Sequence, residues 1–517
     1  MIAASPPPAV RRTRGDLLAR SGPWLAALAG FLLSLWLFYP GYLSWDSAYQ
    51  WYQVRSGDWN NVHPVIMTLI WRATERLWPG PGGLFLLHLA LYWLGLALLA
   101  AGLVRRGWLQ GALVLMLGLM PAVFALVPHL WKDIGMLVAL IWTLALLAHD
   151  CRRPSRALRL LAVATLALAC AYRHNAVPLA LPLLWYIAGR EWPGAGAINP
   201  GRDAPAAGNA AALGDASPAE RLPAHPGPGW FDLRRWPWQR LMLSAGLLLA
   251  VLVLAGLPNR LPGVDRFQVW PVTATWDLAA VSIAQREVLL PEAIIEPDLV
   301  LADLDNHFVP YAAPPIYNST RIRMSVGPTA FSPEQMSAVN RAWLRLWWQH
   351  PLPYLQHRLR VAGYLFGFFP QQLPDDQIVY YGVMPFADNP PVTVADSTGA
   401  RRWRHWVSGW VNTPLFAFWP YALVLAGVAV SACGGFGRHG RHGRPGRCRR
   451  SGRRGHVLLP PVLWSCLLVT LPLLVAAPSA EFRYLVWPVF CAGLVLVLRF
   501  LPDRFGVAMG GAGRGRP

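Results

Sequence analysis

The sequence predicts an all-α polytopic membrane protein with about ten transmembrane helices, GT-C-like in arrangement, and three observations carry that prediction. Apolar runs of about 20 residues recur along the 517-residue chain, the length an α-helix needs to cross a bilayer. Hydrophobic residues make up 55% and charged residues only 14%, against roughly 25% charged in a soluble domain, and mean hydropathy is +0.33. The net charge of +20 sits in short basic clusters between apolar runs, at every second connection. That pattern orients a membrane protein and argues against nucleic acid as a partner.

Taken in order, residues 1–20 carry Arg11, Arg12, Arg14 and Arg20 ahead of an apolar run over 24–39. No small-x-small cleavage site precedes Tyr39-Pro40, so the run reads as an uncleaved first helix with its N-terminus in the cytoplasm. Further spans are expected at 83–104, closed by Arg105-Arg106, at 109–127, and from Lys132-Asp133 to 149, closed by Arg152 and Arg153. A fifth span covers 157–171, and a sixth returns through Trp185 to Arg190. Residues 1–189 thus form an N-terminal membrane module. Residues 190–239, rich in Gly, Pro and Ala, are too poor in apolar surface to fold and read as a disordered cytoplasmic linker.

Span seven, 240–257, leads into a long extracytoplasmic or interfacial segment, 258–412, with room for a small subdomain or a cap of short helices. Within it His357, Arg358 and Arg360 interrupt an apolar stretch at 354–370. That stretch reads as an interfacial helix, with Trp343, Trp347 and Trp348 upstream as an aromatic anchor. A C-terminal module, 413–517, holds spans at 414–433, 457–477 and 485–501, with an arginine-rich loop from Arg438 to Arg454. Both termini then lie in the cytoplasm, and the chain belongs in the cytoplasmic membrane. The six cysteines show no metal-ligand spacing, and neither a disulfide framework nor a structural metal is expected.

On this topology Asp46, His63, Lys132, Asp133, Arg173, His174, Asn175, Glu481, Arg483 and Tyr484 all fall on the outer side, at or near helix ends. An ionisable group at the centre of a membrane helix costs of order 2.5–3.5 kcal/mol on insertion scales, so such groups are usually paired or functional. Four separate helix ends supplying them to one face point to a shared polar cavity.

The first outer loop, 41–64, is its centre. Asp46 is the candidate base or metal ligand there, and the plain alternative is a helix cap beside Ser44 and Ser47. Pro64 would open a re-entrant or interfacial helix to 78, leaving His63 to line the cavity or to bond a loop carbonyl. Lys132 is the only lysine among 46 basic residues. It reads either as a point charge for a phosphate, oriented by Asp133, or as a local ion pair with that residue. Arg173 and Arg483 offer planar forks suited to phosphate, against the alternative of a Glu481 pair that only joins helices.

In order and in shared sidedness, Trp45-Asp46-Ser47, Asn61-Val62-His63-Pro64, Trp131-Lys132-Asp133, Arg173-His174-Asn175, His350-Pro351 with Tyr354, and Phe482-Arg483-Tyr484 resemble the membrane glycosyltransferases of the GT-C superfamily, in particular a bacterial group of multi-span proteins within it. The resemblance implies a catalytic acidic residue in the first outer loop, at Asp46, that deprotonates the acceptor. It also implies a polyprenyl-phosphate sugar entering from the membrane lipids, and an envelope glycan, lipid or protein acceptor arriving from outside. Donor phosphate contacts would fall to Lys132, Arg173 and Arg483. Many members carry two adjacent acidic residues where Ser47 follows Asp46 here. Dependence on a divalent metal is therefore open, with Asp58 the nearest second ligand. The competing function classes are a multi-span transporter or lipid flippase, which should show paired broken helices and midplane polar groups, and a non-catalytic envelope scaffold.

Overall fold

The structure is a computed structural model, and it describes residues 14–104, 106–190, 237–326, 330–369, 373–374, 378–433 and 456–500. The expected linker, the arginine-rich loop and both chain ends lie largely outside the described residues. The described part is mostly helical, and six helices are long and apolar enough to cross a membrane. They belong to α1 (Arg14–Phe38), α4 (Pro81–Leu103), α7 (Lys132–Arg152), α10 (Pro237–Gly256), α17 (Leu459–Ala476) and the stretch Phe482–Phe500, which holds α18 (Val486–Phe500).

Of the other expected spans, α5 (Gly107–Gly118), α9 (Ala176–Ala188) and α16 (Trp419–Cys433) are apolar but shorter, and α8 (Arg156–Tyr172) packs along α7. The run expected over 109–127 is not one helix. It breaks after α5, and α6 (Pro121–Phe124) restarts with Pro121 in its first turn, because proline has no N–H to continue the ladder.

α7 is the hub. It packs against α4, α8 and α18, and apart from a few positions it is buried along its length, which its near-continuous apolar sequence permits. α1, α4 and α5 form one flank, and α8, α9, α10 and α17 the other. α10 is largely exposed on its apolar surface.

At one end of this bundle, α2 (Trp45–Ser56) and α3 (Val65–Leu77) pack on each other and α3 on α4, with Pro64 capping α3. The segment from 264 to 410 gathers at this end. It comprises α11 (Trp270–Gln285), α12 (Leu301–His307), α13 (Pro333–Gln349), α14 (Pro351–Phe366) and α15 (Thr398–Trp410). It has its own small core, including Leu278, Val281, Leu304, Ile316, Val339 and Leu346. A two-residue parallel pairing of β1 (Trp59–Asn60) with β2 (Val264–Asp265) ties it to the loop after α2.

Within this segment Trp343 turns inward, its ring against Trp270 and Tyr354 and its Nε1 donating to Asp277 at 2.8 Å, whereas Trp347 and Trp348 are exposed. His357 and Arg358 of α14 are buried, with His357 Nε2 3.2 Å and Arg358 Nη2 2.5 Å from Asp277 Oδ1.

Candidate functional site

The loop after α1 places Asp46 by hydrogen bonds to two distant segments. Gly41 turns the chain at φ 98°, a conformation that disfavours any side chain, and a Cβ there would also meet Pro128 O at 3.2 Å. Tyr42 then bonds Pro128 O at 3.0 Å and accepts from Leu130 N at 3.1 Å, while Leu43 bonds Gly382 O at 2.9 Å and accepts from Met384 N at 2.8 Å. The start of α2 is thereby fixed against the start of α7. Ser44 stands at the N-cap but makes no cap bond; its Oγ accepts instead from Trp131 Nε1 at 2.8 Å, and Ser47 Oγ donates to Leu130 O at 2.7 Å. Asp46, in the first turn of α2, faces the neighbouring helix ends.

There Arg483 Nη2 donates to Asp46 Oδ2 at 2.9 Å, and Lys132 Nζ lies 3.7 Å from the same oxygen. Lys132 Nζ is also 3.1 Å from His63 Nδ1. Asp133, fully buried in the first turn of α7 where the helix dipole favours a carboxylate, pairs with Arg173 and lies 4.0 Å from Arg483 Nε. Arg173 also donates Nε to Asn175 Oδ1 at 3.2 Å. Glu481 pairs with Arg483 and accepts from Ser479 Oγ at 2.6 Å and Tyr484 Oη at 2.9 Å. The guanidinium of Arg483 lies 4.7 Å from the centre of the Trp131 ring, and that of Arg173 lies 4.5 Å from the centre of the Tyr484 ring.

Nine of the ten helix-end residues singled out in the sequence are therefore linked in one constellation. The tenth, His174, is exposed beside Arg173. Asp58 is elsewhere: it follows the C-terminus of α2 and accepts from Tyr52 Oη at 3.1 Å. At 1.5 Å rise per residue the helix separates it from Asp46 by about 18 Å, so the two cannot share one ion. Among the described residues no group of three or more His, Cys, Asp or Glu side chains is placed to hold a metal.

The charges cancel: Asp46, Asp133 and Glu481 face Lys132, Arg173 and Arg483. Burial works to raise the Asp46 carboxyl, but the Arg483 and Lys132 charges outweigh it and hold the group well below the usual carboxylate range. Burial, reinforced by the Lys132 charge, pushes the His63 imidazole down to about 3, so at neutral pH it is uncharged. Several polar atoms remain without a hydrogen bond, among them Arg483 Nη1, Asn175 Nδ2 and His63 Nε2. Orphaned donors beside a partly open carboxylate suit an anionic ligand that would satisfy them.

Sequence reasoning missed two contributors. Ser479 was hidden because its role depends on contacts within a loop. Asp277 carried one signal, a lone carboxylate in the apolar stretch Trp276–Ala280, but its partners are more than 60 residues away.

No family model matches this chain, and no curated protein or solved structure is detectably similar to it.

Proposed function

We propose that this chain is an integral-membrane glycosyltransferase that moves a sugar from a polyprenyl-phosphate donor to a cell-envelope acceptor. Asp46 is the general base, and Lys132, Arg173 and Arg483 hold the donor phosphate. One observation carries the reading: Asp46, a quarter exposed, is contacted by both a lysine and an arginine drawn from helix ends about 350 residues apart in sequence. A structural ion pair needs only one of them.

The chemistry follows from that competition. The acceptor hydroxyl oxygen attacks the anomeric carbon from the face opposite the phosphate and gives its proton to Asp46. The bond from the anomeric carbon to the phosphate oxygen breaks, and its electron pair leaves with the lipid phosphate, inverting the configuration. Held by two cations, Asp46 is a weak base. As the leaving phosphate gains charge, Lys132 and Arg483 turn towards it, and the basicity of Asp46 rises as the proton arrives. Asp133 and Glu481 keep Arg173 and Arg483 aimed meanwhile. The three cations supply positive charge at the leaving oxygen.

In this reading the Asp46 end faces outward from the cytoplasmic membrane, both termini are cytoplasmic, and α5, α8, α9 and α16 complete a ten-span arrangement with the six longer helices. Mass spectrometry of envelope glycans and lipid-linked sugars tests it, comparing cells with wild-type protein, Asp46→Asn and a deletion. The expected result is that Asp46→Asn, present at normal levels, loses one sugar-bearing species and accumulates its lipid-linked donor. If Asp46→Asn matches wild type while the deletion differs, the transferase reading fails and transport takes its place.

A further inference from the structure

α2 divides its chemistry between two faces. Asp46 and Ser47 turn towards the start of α7, whereas Trp45, Tyr49 and Tyr52, spaced four and three residues apart, share another face. Phe386 closes on that second face, its ring 5.6 Å from Trp45, 5.1 Å from Tyr49 and 5.7 Å from Tyr52. The loop bearing Phe386 is clamped in place, since Met384 bonds Leu43 and Asn389 Nδ2 donates to Ala48 O at 2.8 Å. The result is a rigid aromatic shelf whose outermost ring, Trp45, is 49% exposed.

The rim of this shelf is charged. Arg55, Asp58 and Asp388 are all exposed, with Arg55 Nη1 donating to Asp388 O at 2.9 Å. Charged groups of both signs around an aromatic plate keep it out of the hydrocarbon core. The shelf also joins the ionic constellation through His63. That ring lies 6.2 Å from Trp45 and 5.5 Å from Tyr49, and its Nδ1 meets Lys132. His63 is only 5% exposed, yet its Nε2 has no hydrogen-bond partner. It is an unsatisfied hydrogen-bonding atom at the junction of shelf and charge cluster.

From this geometry we infer that the shelf is a carbohydrate subsite, and that the acceptor is itself a glycan whose pyranose ring lies against Trp45. A pyranose has one face of C–H bonds that suits an aromatic plate and an edge of hydroxyls that suits a polar rim. A flexible lipid headgroup has no such flat apolar face, and a protein side chain that has one, such as Phe or Trp, lacks the edge of several hydroxyls that would meet the polar rim. The inference rests on the transferase reading for the identity of the reacting hydroxyl, because the ring stacked on Trp45 presents its edge to the Asp46 side through His63. Trp45 is a binding residue and takes no proton.

The test is saturation-transfer difference NMR on the full-length protein in detergent micelles, with maltotriose, cellotriose and chitotriose as probes. At least one trisaccharide should give saturable transfer to its ring protons with the wild-type protein. Trp45→Ala should weaken that binding roughly tenfold, as expected for one lost stacked ring, while Trp45→Phe keeps most of it. The subsite is overturned if no trisaccharide binds saturably, or if Trp45→Ala binds as well as wild type. It is equally overturned if brominated lipids quench the emission that Trp45→Phe lacks, which makes Trp45 a membrane anchor. Loss of the subsite with Asp46-dependent transfer intact sinks this inference alone. Trp45-dependent binding, in a protein whose Asp46→Asn cells keep every glycan, sinks the transferase reading alone.

Discussion

At the scale of single residues, the centre of the molecule is a carboxylate oxygen claimed twice. Asp46 Oδ2 accepts from Arg483 and faces Lys132, so neither cation can be removed without strengthening the hold of the other. Lys132→Gln is therefore expected to leave the fold intact and to lower transfer, whereas Arg483→Gln also strips Glu481 of its counter-charge and should lower thermal stability as well; melting curves in detergent separate the two. His63 gives a pH signature. Its folded pKa of about 3 lies below the unfolded value, so between roughly pH 6.5 and 3 the unfolded chain binds more protons. Stability from this group is complete above about pH 6.5 and drains away as pH falls through that window. His63→Gln should flatten the acid limb of the melting temperature against pH, and an unchanged limb would assign the loss to other groups. These residues were legible in the sequence for a simple reason: a lone lysine, or an arginine beside an apolar run, is costly in a membrane whatever it touches. The partner each would choose was not legible. The sequence allowed Asp133 to pair with Lys132, and the structure pairs it with Arg173 instead, because Lys132 reaches across to His63 and Asp46.

At the scale of elements, the loop between α17 and α18 carries Ser479, Glu481 and Arg483, and the segment from 264 to 410 helps to hold that loop. Arg358 of α14 donates to Ala477 O at 2.9 Å, Ala313 N bonds Pro478 O at 2.9 Å, and Ala480 N bonds Tyr311 O at 2.7 Å. Arg358 is itself fixed by Asp277 of α11, a fully buried carboxylate. Removing one partner of a buried pair costs about 3–5 kcal/mol, so Asp277→Asn should lower the unfolding free energy by that order. Trp343→Phe, which deletes only one hydrogen bond to the same carboxylate, should cost about 1 kcal/mol. Equal losses for the two would mean that Asp277 is not the anchor. The sequence foresaw elements where composition alone decides, as in α4 and α7. It erred where one residue acts against composition: the apolar run over 109–127 continues through Pro121, but the helix does not. Hydropathy reads transfer energy and is blind to a missing N–H. His357 and Arg358 do interrupt an apolar stretch, but their counter-charge, Asp277, lies some 80 residues earlier, so the sequence did not show the pairing.

At the scale of the whole molecule, the polar constellation sits at one end of a bundle whose other end carries Asp150, buried between Arg159 and Arg190. The proposed orientation sets the Asp46 end outside. In a cysteine-free background, Ser56→Cys should react with a membrane-impermeant maleimide on intact cells, and Arg153→Cys only after permeabilisation. The reverse pattern would place the site in the cytoplasm. The most direct measurement on the central claim is the affinity of purified protein in nanodiscs for a polyprenyl monophosphate, compared between wild type and Asp46→Asn. If Asp46 and the donor phosphate compete for Lys132 and Arg483, Asp46→Asn should bind the phosphate roughly tenfold more tightly, the equivalent of one charge-assisted hydrogen bond no longer contested, while transfer is lost. Equal or weaker binding by Asp46→Asn would contradict it, leaving the three carboxylates and three cations as a structural lock between helix ends.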